Sequence, residues 1–184
     1  MAKYSLHAAL VLPLLCSAAL AAGGANLWLN VPFVKQQKDG CGAAAIAMVM
    51  QYWQQHEGLP ADGNAAYEHI ERKLFSRRAH GIYASALERY FRRNGYRVFA
   101  FAGQRADLER EIAKGRPLIA ALKPESGGEL HYVVVVGVDE PDGLILVNDP
   151  AQRKLLKEDQ TAFEHAWKAT GNWTLLAVPE THPK

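Results

Sequence analysis

The sequence is poor in cysteine, lacks clustered metal ligands and carries no large excess of charge. Only Cys16 and Cys41 occur in 184 residues, and the histidines are scattered without the ligand spacing of a zinc site. The 21 basic and 19 acidic residues are spread along the chain, which does not suggest a nucleic-acid partner. No phosphate loop of the G-x-x-x-x-G-K type is present, which excludes a nucleotide-driven motor. We therefore expect neither a metal nor a cofactor.

What the chain does contain is a sizeable apolar fraction in a length suited to one domain. Hydrophobic residues make up 49% of the sequence, and we find no repeat, low-complexity segment or linker. A chain of this size can bury a core without disulfides or metals. We predict one globular domain after an N-terminal targeting segment.

The N-terminal residues have the pattern of a secretory signal peptide. Lys3 is their only charge, an apolar run extends from Leu6 to Leu15, and small residues follow. Ala19-Leu20-Ala21 has the small-x-small pattern that signal peptidase accepts, so we expect cleavage after Ala21 or Ala22. The sequence thus predicts an exported, periplasmic or secreted protein.

These boundaries place a signal peptide at residues 1–21 and a domain at residues 22–184. Two alternatives are less favoured. The apolar run could remain as a membrane anchor, but it is shorter than the roughly 20 residues that span a bilayer. Cys16 could accept a lipid, but Leu15 precedes it where a small residue is expected. We expect no membrane span in the processed chain.

Removal of the signal leaves Cys41 as the only cysteine, without a disulfide partner in the chain. An unpaired thiol in an oxidising compartment either packs inertly in a core or performs chemistry. Cys41 follows the turn Asp39-Gly40 and begins an uncharged segment of helix formers that ends at Trp53. At a helix start, unpaired N–H groups and the helix dipole favour the reactive thiolate form of a cysteine. Inert packing remains an alternative.

The remaining pattern predicts helices first and strands afterwards. We expect a helix at 41–53 buried almost all round, amphipathic helices at 64–75 and 83–94, and shorter helices at 107–114 and 159–168. Apolar, β-prone segments at 97–101, 117–122, 131–138, 144–148 and 173–178 predict strands, after an extended segment at 27–34. The order indicates an α+β domain in which the buried N-terminal helix packs on an antiparallel sheet.

A cysteine nucleophile needs a base, and His131 is the best candidate. His131 stands at the start of the most apolar strand, whereas His56, His69, His80 and His165 lie in polar contexts and are predicted to be solvated surface residues. His131 can therefore face a partner across the sheet.

Asp149 is the predicted partner of His131. The turn signal Pro-Asp-Gly at 141–143 connects the strand of His131 to a strand that ends at Asn148-Asp149. If the turn is centred near residue 140 or 141, Asp149 meets His131 at the open end of the hairpin to within one position. A carboxylate there would orient the imidazole and stabilise its charged form. Asn148 would point to the opposite face.

The alternatives to Asp149 as the orienting carboxylate are weaker. Asp149-Pro150 could be an ordinary strand-ending turn, and Asp139 and Asp142 are turn residues with little claim to the role.

Gln36 and Gln37 are candidates for the group that stabilises a tetrahedral oxyanion. Both stand just upstream of Cys41, whose own backbone N–H would be a second donor. Either glutamine could equally be a plain loop residue.

With these residues in place, the chain resembles the bacterial cysteine peptidase family thirty-nine, the double-glycine leader peptidases of papain-like fold. The resemblance begins with V-P-F-V-K-Q-Q-K-D-G-C-G-A-A-A-I-A-M-V-M-Q-Y-W at 31–53. It continues with the helix ending in Gly-Tyr at 81–96, the helix and Gly-x-Pro strand at 108–122, and the His and Asp-Pro block at 131–150.

The resemblance implies a papain-like fold and a role for each candidate residue. Cys41 would be the nucleophile, His131 the general base and acid, Asp149 the orienting carboxylate and Gln36 the oxyanion donor. Gln36 is preferred because it lies five residues before Cys41, and five or six residues is the common spacing in the family. Gln37 lies four before it, and Lys35 occupies the six-residue position.

The resemblance implies a cysteine peptidase that acts on a peptide or protein substrate. The best-known members are cytosolic domains fused to a transporter and an ATPase, whereas this chain resembles a free-standing, exported branch, so cleavage of double-glycine leaders does not transfer automatically. An amidase or acyl transferase with the same triad, and a non-catalytic peptide-binding domain, are the alternatives. The oligomeric state is not predicted.

Overall fold

The computed structural model describes residues 26–124 and 128–180. The proposed signal peptide, with Cys16, lies outside the described residues. The helices and strands follow in chain order: β1 (Asn26–Trp28), α1 (Cys41–His56), α2 (Gly63–Leu74), α3 (Ala84–Arg93), β2 (Tyr96–Ala102), α4 (Arg105–Ala113), β3 (Leu118–Leu122), β4 (His131–Asp139), β5 (Leu144–Asn148), β6 (Leu156–Asp159), α5 (Gln160–Lys168) and β7 (Trp173–Pro179).

The strands form one sheet in the order β2-β7-β3-β4-β5-β6, with β1 attached to β4. Every pairing between these strands is antiparallel. β3 pairs with the first five residues of β4, and β1 pairs with its last three, from Gly137 to Asp139. β4 is therefore the central strand, and its first residue, His131, lies at one end of the sheet.

Helices cover both faces of this sheet. One buried cluster joins α1, α2 and α3 to residues such as Ile119, Val134 and Leu175, and a second joins α4 and α5 to residues such as Leu118, Val135 and Leu176. Because successive strand residues alternate between faces, each strand contributes to both cores. The sequence pattern anticipated only the first of these two layers.

α1 is the most buried helix of the domain. Residues 41–49 and Tyr52 are all buried, which confirms the prediction of a helix surrounded by protein. Alanines at 43, 44, 45 and 47 are completely inaccessible, and such small side chains let neighbouring backbones approach closely. The position of Cys41 is consequently held by the core.

The β4–β5 hairpin has a register that differs from the predicted one. Val134 pairs with Asn148 and Val135 with Val147, which would place Val133 opposite Asp149. His131 and Asp149 are thus diagonal neighbours rather than a directly opposed pair. Since side chains two positions apart on a strand share a face, both still project to the same side of the hairpin.

A β-bulge between Val135 and Gly137 determines this shared face. On the turn side of the bulge, Gly137 pairs with Leu146 and Val138 with Ile145, one residue out of step with the pairs at the open end. If the turn-side pairing continued along β4 without a bulge, Val134 would lie opposite Asp149, and His131 and Asp149 would project to opposite faces.

β6 is the strand that the sequence pattern did not reveal. Its residues, Leu-Lys-Glu-Asp at 156–159, are mostly charged, and the strand lies at the edge of the sheet with only alternate residues partly covered. A short charged edge strand lacks the hydrophobic alternation that identifies strands in a sequence.

The predicted α+β architecture is confirmed, with helix and strand boundaries mostly within two residues of those expected. In the described part of the chain, no helix combines the length and apolarity that a bilayer crossing requires.

Candidate active site

Cys41 is the first residue of α1, and its side chain is 8% exposed. The N-cap residue is Gly40, which has no side chain to accept the first N–H groups, whereas the Asp62 carboxylate caps α2 through two such groups. The first hydrogen bond of the helical ladder runs from the Ala44 N–H to the Gly40 carbonyl at 3.0 Å. The N–H groups before Ala44 thus meet no capping side chain, and the positive end of the helix dipole lies at the sulfur.

His131 and Asp149 form a direct hydrogen bond at the open end of the hairpin. The distance between His131 Nε2 and Asp149 Oδ1 is 2.8 Å, and both side chains are mostly buried. With Nε2 engaged by the carboxylate, Nδ1 is the ring nitrogen left to face another partner. The contact that the sequence predicted between these two residues is therefore present, although they are diagonal neighbours on the two strands and not a directly opposed pair.

The carboxylate of Asp149 is held by three donors. Besides His131, the Ala151 N–H donates to Oδ1 at 2.8 Å and the Gln152 side-chain amide donates to Oδ2 at 2.8 Å. The Asp149 N–H donates in turn to the Arg153 carbonyl at 3.2 Å, which closes a turn just after β5. Asp149 is consequently rigid as well as hydrogen-bonded to the imidazole.

The imidazole of His131 also interacts with Cys41. Burial of the ring lowers its pKa, but hydrogen bonds to Asp149 and Cys41, together with their negative charges, outweigh that effect and raise the pKa of His131 to about 9. Burial raises the pKa of Asp149, but hydrogen bonds from His131, Ala151 and Gln152 more than offset it, so the pKa lies below its usual range. At neutral pH the pair is therefore an imidazolium and a carboxylate.

The two candidate glutamines lie in different environments in the structure. Gln36 is partly buried, and its N–H donates to the Pro150 carbonyl at 3.0 Å, which sets it beside the turn that carries Asp149. Its Oε1 is buried and has no hydrogen-bond partner among the described residues. Gln37 is exposed, and its N–H donates to the Tyr67 hydroxyl at 3.0 Å. Gln36 is the glutamine whose side chain is turned into the protein at this site.

α2 supports the loop that precedes Cys41. Tyr67 accepts the Gln37 N–H, and its hydroxyl lies where a side chain at Gly40 would be: a Cβ built there would be 2.2 Å from the Tyr67 oxygen. Tyr67 is 4% exposed, so it cannot easily move aside. Gly40 is thus required by close packing against α2, which keeps the start of α1 next to the loop of Gln36.

The remaining acidic candidates and Asn148 do not join this site. Asp139 pairs with Leu144 at the far end of β4, about 26 Å along the strand from His131 at the usual rise per residue. Asp142 lies exposed in the turn. The side chain of Asn148 donates to the Val31 carbonyl and accepts from the Leu155 N–H, so it is engaged away from His131.

The four histidines that were assigned to the surface, His56, His69, His80 and His165, are all exposed.

Three supporting residues, Ala151, Gln152 and Tyr67, were not predicted from the sequence. An Asp-Pro turn commonly accepts an N–H two residues on, so the contact with Ala151 had a recognisable signal. The roles of Gln152 and Tyr67 had none, because each depends on a side chain reaching a group that only folding brings near.

Comparison with known proteins was made by sequence and by structure. The model of the Peptidase_C39-like family matches residues 28–175. No curated protein matches the chain.

Solved structures similar to this fold include a C39-like peptidase from Bacillus anthracis, with a TM-score of 0.66, 17% identity and coverage of 86% of this chain and 100% of that one. A second similar structure is the peptidase domain of Streptococcus ComA, a bi-functional ABC transporter involved in quorum sensing. Its TM-score is 0.61 at 17% identity, and the match covers 80% of this chain and 98% of that one. The peptidase domain of Streptococcus mutans ComA has a TM-score of 0.55 at 15% identity, and the match again covers 80% of this chain and 98% of that one. These likenesses concern the fold, and they confirm the predicted papain-like α+β architecture.

Proposed function

Because the chain belongs to the Peptidase_C39-like family, we propose that it is a cysteine peptidase that hydrolyses peptide bonds through Cys41, His131 and Asp149. The observation that carries this proposal is the 2.8 Å hydrogen bond between His131 and the buried Asp149 carboxylate, on an imidazole whose pKa is also raised by Cys41, the only cysteine of the described chain. A thiol, an imidazole and a carboxylate in this order supply a nucleophile, a proton carrier and an orienting group.

The first half of the reaction forms an acyl-enzyme. The Cys41 thiolate attacks the carbonyl carbon of the peptide bond, and the carbonyl oxygen becomes an oxyanion. The backbone N–H of Cys41 and the side-chain amide of Gln36 are the proposed donors to that oxygen. As the tetrahedral intermediate collapses, the carbon–nitrogen bond breaks, His131 gives its proton to the leaving amine, and a thioester remains on the sulfur.

The second half releases the acid. Neutral His131 takes a proton from water, and the resulting hydroxide attacks the thioester carbonyl. The carbon–sulfur bond then breaks, the carboxylic acid leaves, and the thiolate and imidazolium are restored. Asp149 stays ionised throughout and holds the ring in one orientation.

We also propose that the enzyme acts outside the cytoplasm, in the periplasm or as a secreted protein. The support is the charge and hydrophobicity pattern of residues 1–21 and the small-residue cleavage pattern that follows it.

A peptide-library digest tests the proposed activity. We expect residues 22–184 to cleave a subset of peptides, and Cys41→Ala to lower the rate by roughly three orders of magnitude or more. His131→Ala should give a comparable loss, whereas His69→Ala, a matched change on the exposed face of α2, should leave activity intact. Circular dichroism and thermal melts establish that each variant is folded.

A second measurement separates a peptidase from a non-catalytic relative with the same shell. In the proposed enzyme, iodoacetamide should alkylate Cys41 at pH 6 faster than it alkylates free cysteine, because the sulfur is paired with an imidazolium. A Cys41 that reacts no faster than free cysteine, in a protein that cleaves no peptide, would indicate a binding domain. An acyl-enzyme resolved by amines rather than by water would indicate an acyl transferase.

A further inference from the structure

A cavity of about 440 Å³ is lined by Leu130 and Tyr132, the two residues that flank His131 in the chain. It lies where the ends of β3, β4 and β7 meet the start of α3. The residues that form most of its wall are Ala84, Ala121, Leu130, Tyr132, Thr170 and Trp173. A volume of this size is within the range of protein pockets that bind small molecules or side chains.

Tyr132 links the cavity to the candidate catalytic residues. Tyr132 directly follows His131 on β4, and a Cβ placed on Gly42 would be 3.5 Å from the Tyr132 ring. Burial raises the pKa of Tyr132, and the charge of Cys41 raises it further, which is consistent with this proximity. A peptide residue spans at most about 3.6 Å, so the substrate side chains nearest the attacked bond are the candidates to occupy a cavity that Tyr132 connects to the start of α1.

The lining selects for apolar groups. Tyr132 and Trp173 form an aromatic wall, with ring centroids 5.6 Å apart in an edge-to-face arrangement. Thr170 is already engaged, since its hydroxyl donates to the Ala121 carbonyl at 2.7 Å. The charged residues at the rim, Lys123 and Glu129, are exposed and of opposite sign. A charged side chain inside would lose its hydration without gaining a buried partner of opposite charge in the lining.

We propose that this cavity is a specificity pocket that receives one large apolar side chain of the substrate, aromatic or branched aliphatic, within two residues of the cleaved bond. The proposal rests on the proposed peptidase function and names the substrate class of that site. A glycine at the same position leaves the cavity empty, so the pocket favours substrates other than double-glycine peptides. Burial of a large apolar side chain should raise kcat/KM by roughly 10- to 100-fold over glycine.

A positional peptide scan tests the proposal. Every position within two residues of the cleaved bond is varied among glycine, aspartate, lysine, leucine and phenylalanine, and kcat/KM is measured for each peptide. We expect one position at which leucine or phenylalanine exceeds glycine by at least tenfold and exceeds both charged residues.

Pocket-filling variants connect that preference to the cavity. Ala84→Phe places a ring in the cavity from the start of α3, and it should lower the large-to-glycine ratio to near one. Ala169→Phe fills the cavity from another wall and serves if Ala84→Phe does not fold, as judged by circular dichroism. Ala106→Phe, at an exposed position of α4, is the matched control and should keep the ratio of the unmodified protein.

The outcomes distinguish the pocket from the peptidase activity. One outcome is cleavage that depends on Cys41 and yet shows no apolar preference, or a preference for glycine. This result would overturn the proposal of a specificity pocket and leave the peptidase proposal standing. The same conclusion follows if folded pocket-filling variants keep the preference. Absence of any Cys41-dependent cleavage overturns both proposals.

Discussion

His131 is the residue whose protonation state sets the chemistry of the site. Its pKa is raised from 6.5 to about 9 by Asp149 and Cys41, so it contributes stability fully below pH 6.5 and loses that contribution as the pH rises through about 9. The pKa of Asp149 is lowered from 3.8, so its contribution is present above pH 3.8 and is lost as the pH falls through the lower, folded-state value. Both contributions to stability are therefore complete only between pH 3.8 and pH 6.5, where His131 and Asp149 are both charged.

Replacement of Asp149 by asparagine should shift the alkaline limit of activity. In the proposed reaction the imidazolium protonates the leaving amine, so kcat/KM of the unmodified protein should fall as the pH rises through about 9. Without the carboxylate, this limit should move toward 6.5, and kcat/KM at its optimum should fall by roughly two to four orders of magnitude. The measurement is a pH profile of kcat/KM for both proteins.

Asp142→Asn is the control for this experiment, because Asp142 lies exposed in the β4–β5 turn. Its profile should match that of the unmodified enzyme. An alkaline limit that does not move in Asp149→Asn would contradict the assignment of Asp149 as the orienting group.

Among the elements, the β4–β5 hairpin does most to assemble the site. Its bulge brings His131 and Asp149 onto one face, and Gly137, which follows the bulge, lies directly against β1. A Cβ on Gly137 would be 2.7 Å from the backbone oxygen of Leu27 and 2.9 Å from the Cβ of Trp28. Backbone atoms cannot swing aside as a flexible side chain can, so a side chain here must displace a strand.

Gly137→Ala should therefore lower the free energy of unfolding by about 1–3 kcal/mol. The measurement is urea denaturation followed by circular dichroism. Gly128→Ala is a suitable control, because its Cβ would meet Pro124 only at an ordinary contact distance of 3.4 Å. Equal stability of Gly137→Ala and the unmodified protein would indicate that β1 does not pack on β4 as described.

At the scale of the whole molecule, two apolar cores hold the described residues together, and no disulfide bond joins any of these residues. Cys41 is a free thiol, and α helices close both faces of the sheet. Such a domain can keep its single cysteine reduced for chemistry, because stability does not require it in a disulfide. The proposed export adds the requirement that the thiol survive an oxidising compartment.

Expression of the full chain in a bacterium with a secretory pathway tests the export proposal. We expect the protein in the periplasmic fraction or medium, with an intact mass that corresponds to a first residue of Ala22 or Gly23. Replacing Ala19, Ala21 and Ala22 together by tyrosine should block cleavage at both expected sites, whereas Val11→Leu in the apolar run should not. A full-length mass in the cytoplasmic fraction would refute both the signal peptide and the extracellular location.

Much of the fold could be predicted because its signals are local. The helices and most strands follow from hydrophobic periodicity and turn residues, and the order of helices and strands indicates the α+β class. β6 escaped prediction because a charged edge strand carries no apolar alternation, and the second helical layer escaped because periodicity does not say which faces meet.

The sequence by itself determined which residues could perform the chemistry: Cys41 at a helix start, His131 at a strand start, Asp149 before a proline, and two glutamines upstream. Only the tertiary structure decided how they meet. The shift in pairing at the β4 bulge sets which side chains of the hairpin share a face. The preference for Gln36 over Gln37 gained its structural support from contacts with the turn of Asp149 and with Tyr67. Contacts between residues far apart in the chain depend on register and packing, which no local pattern specifies.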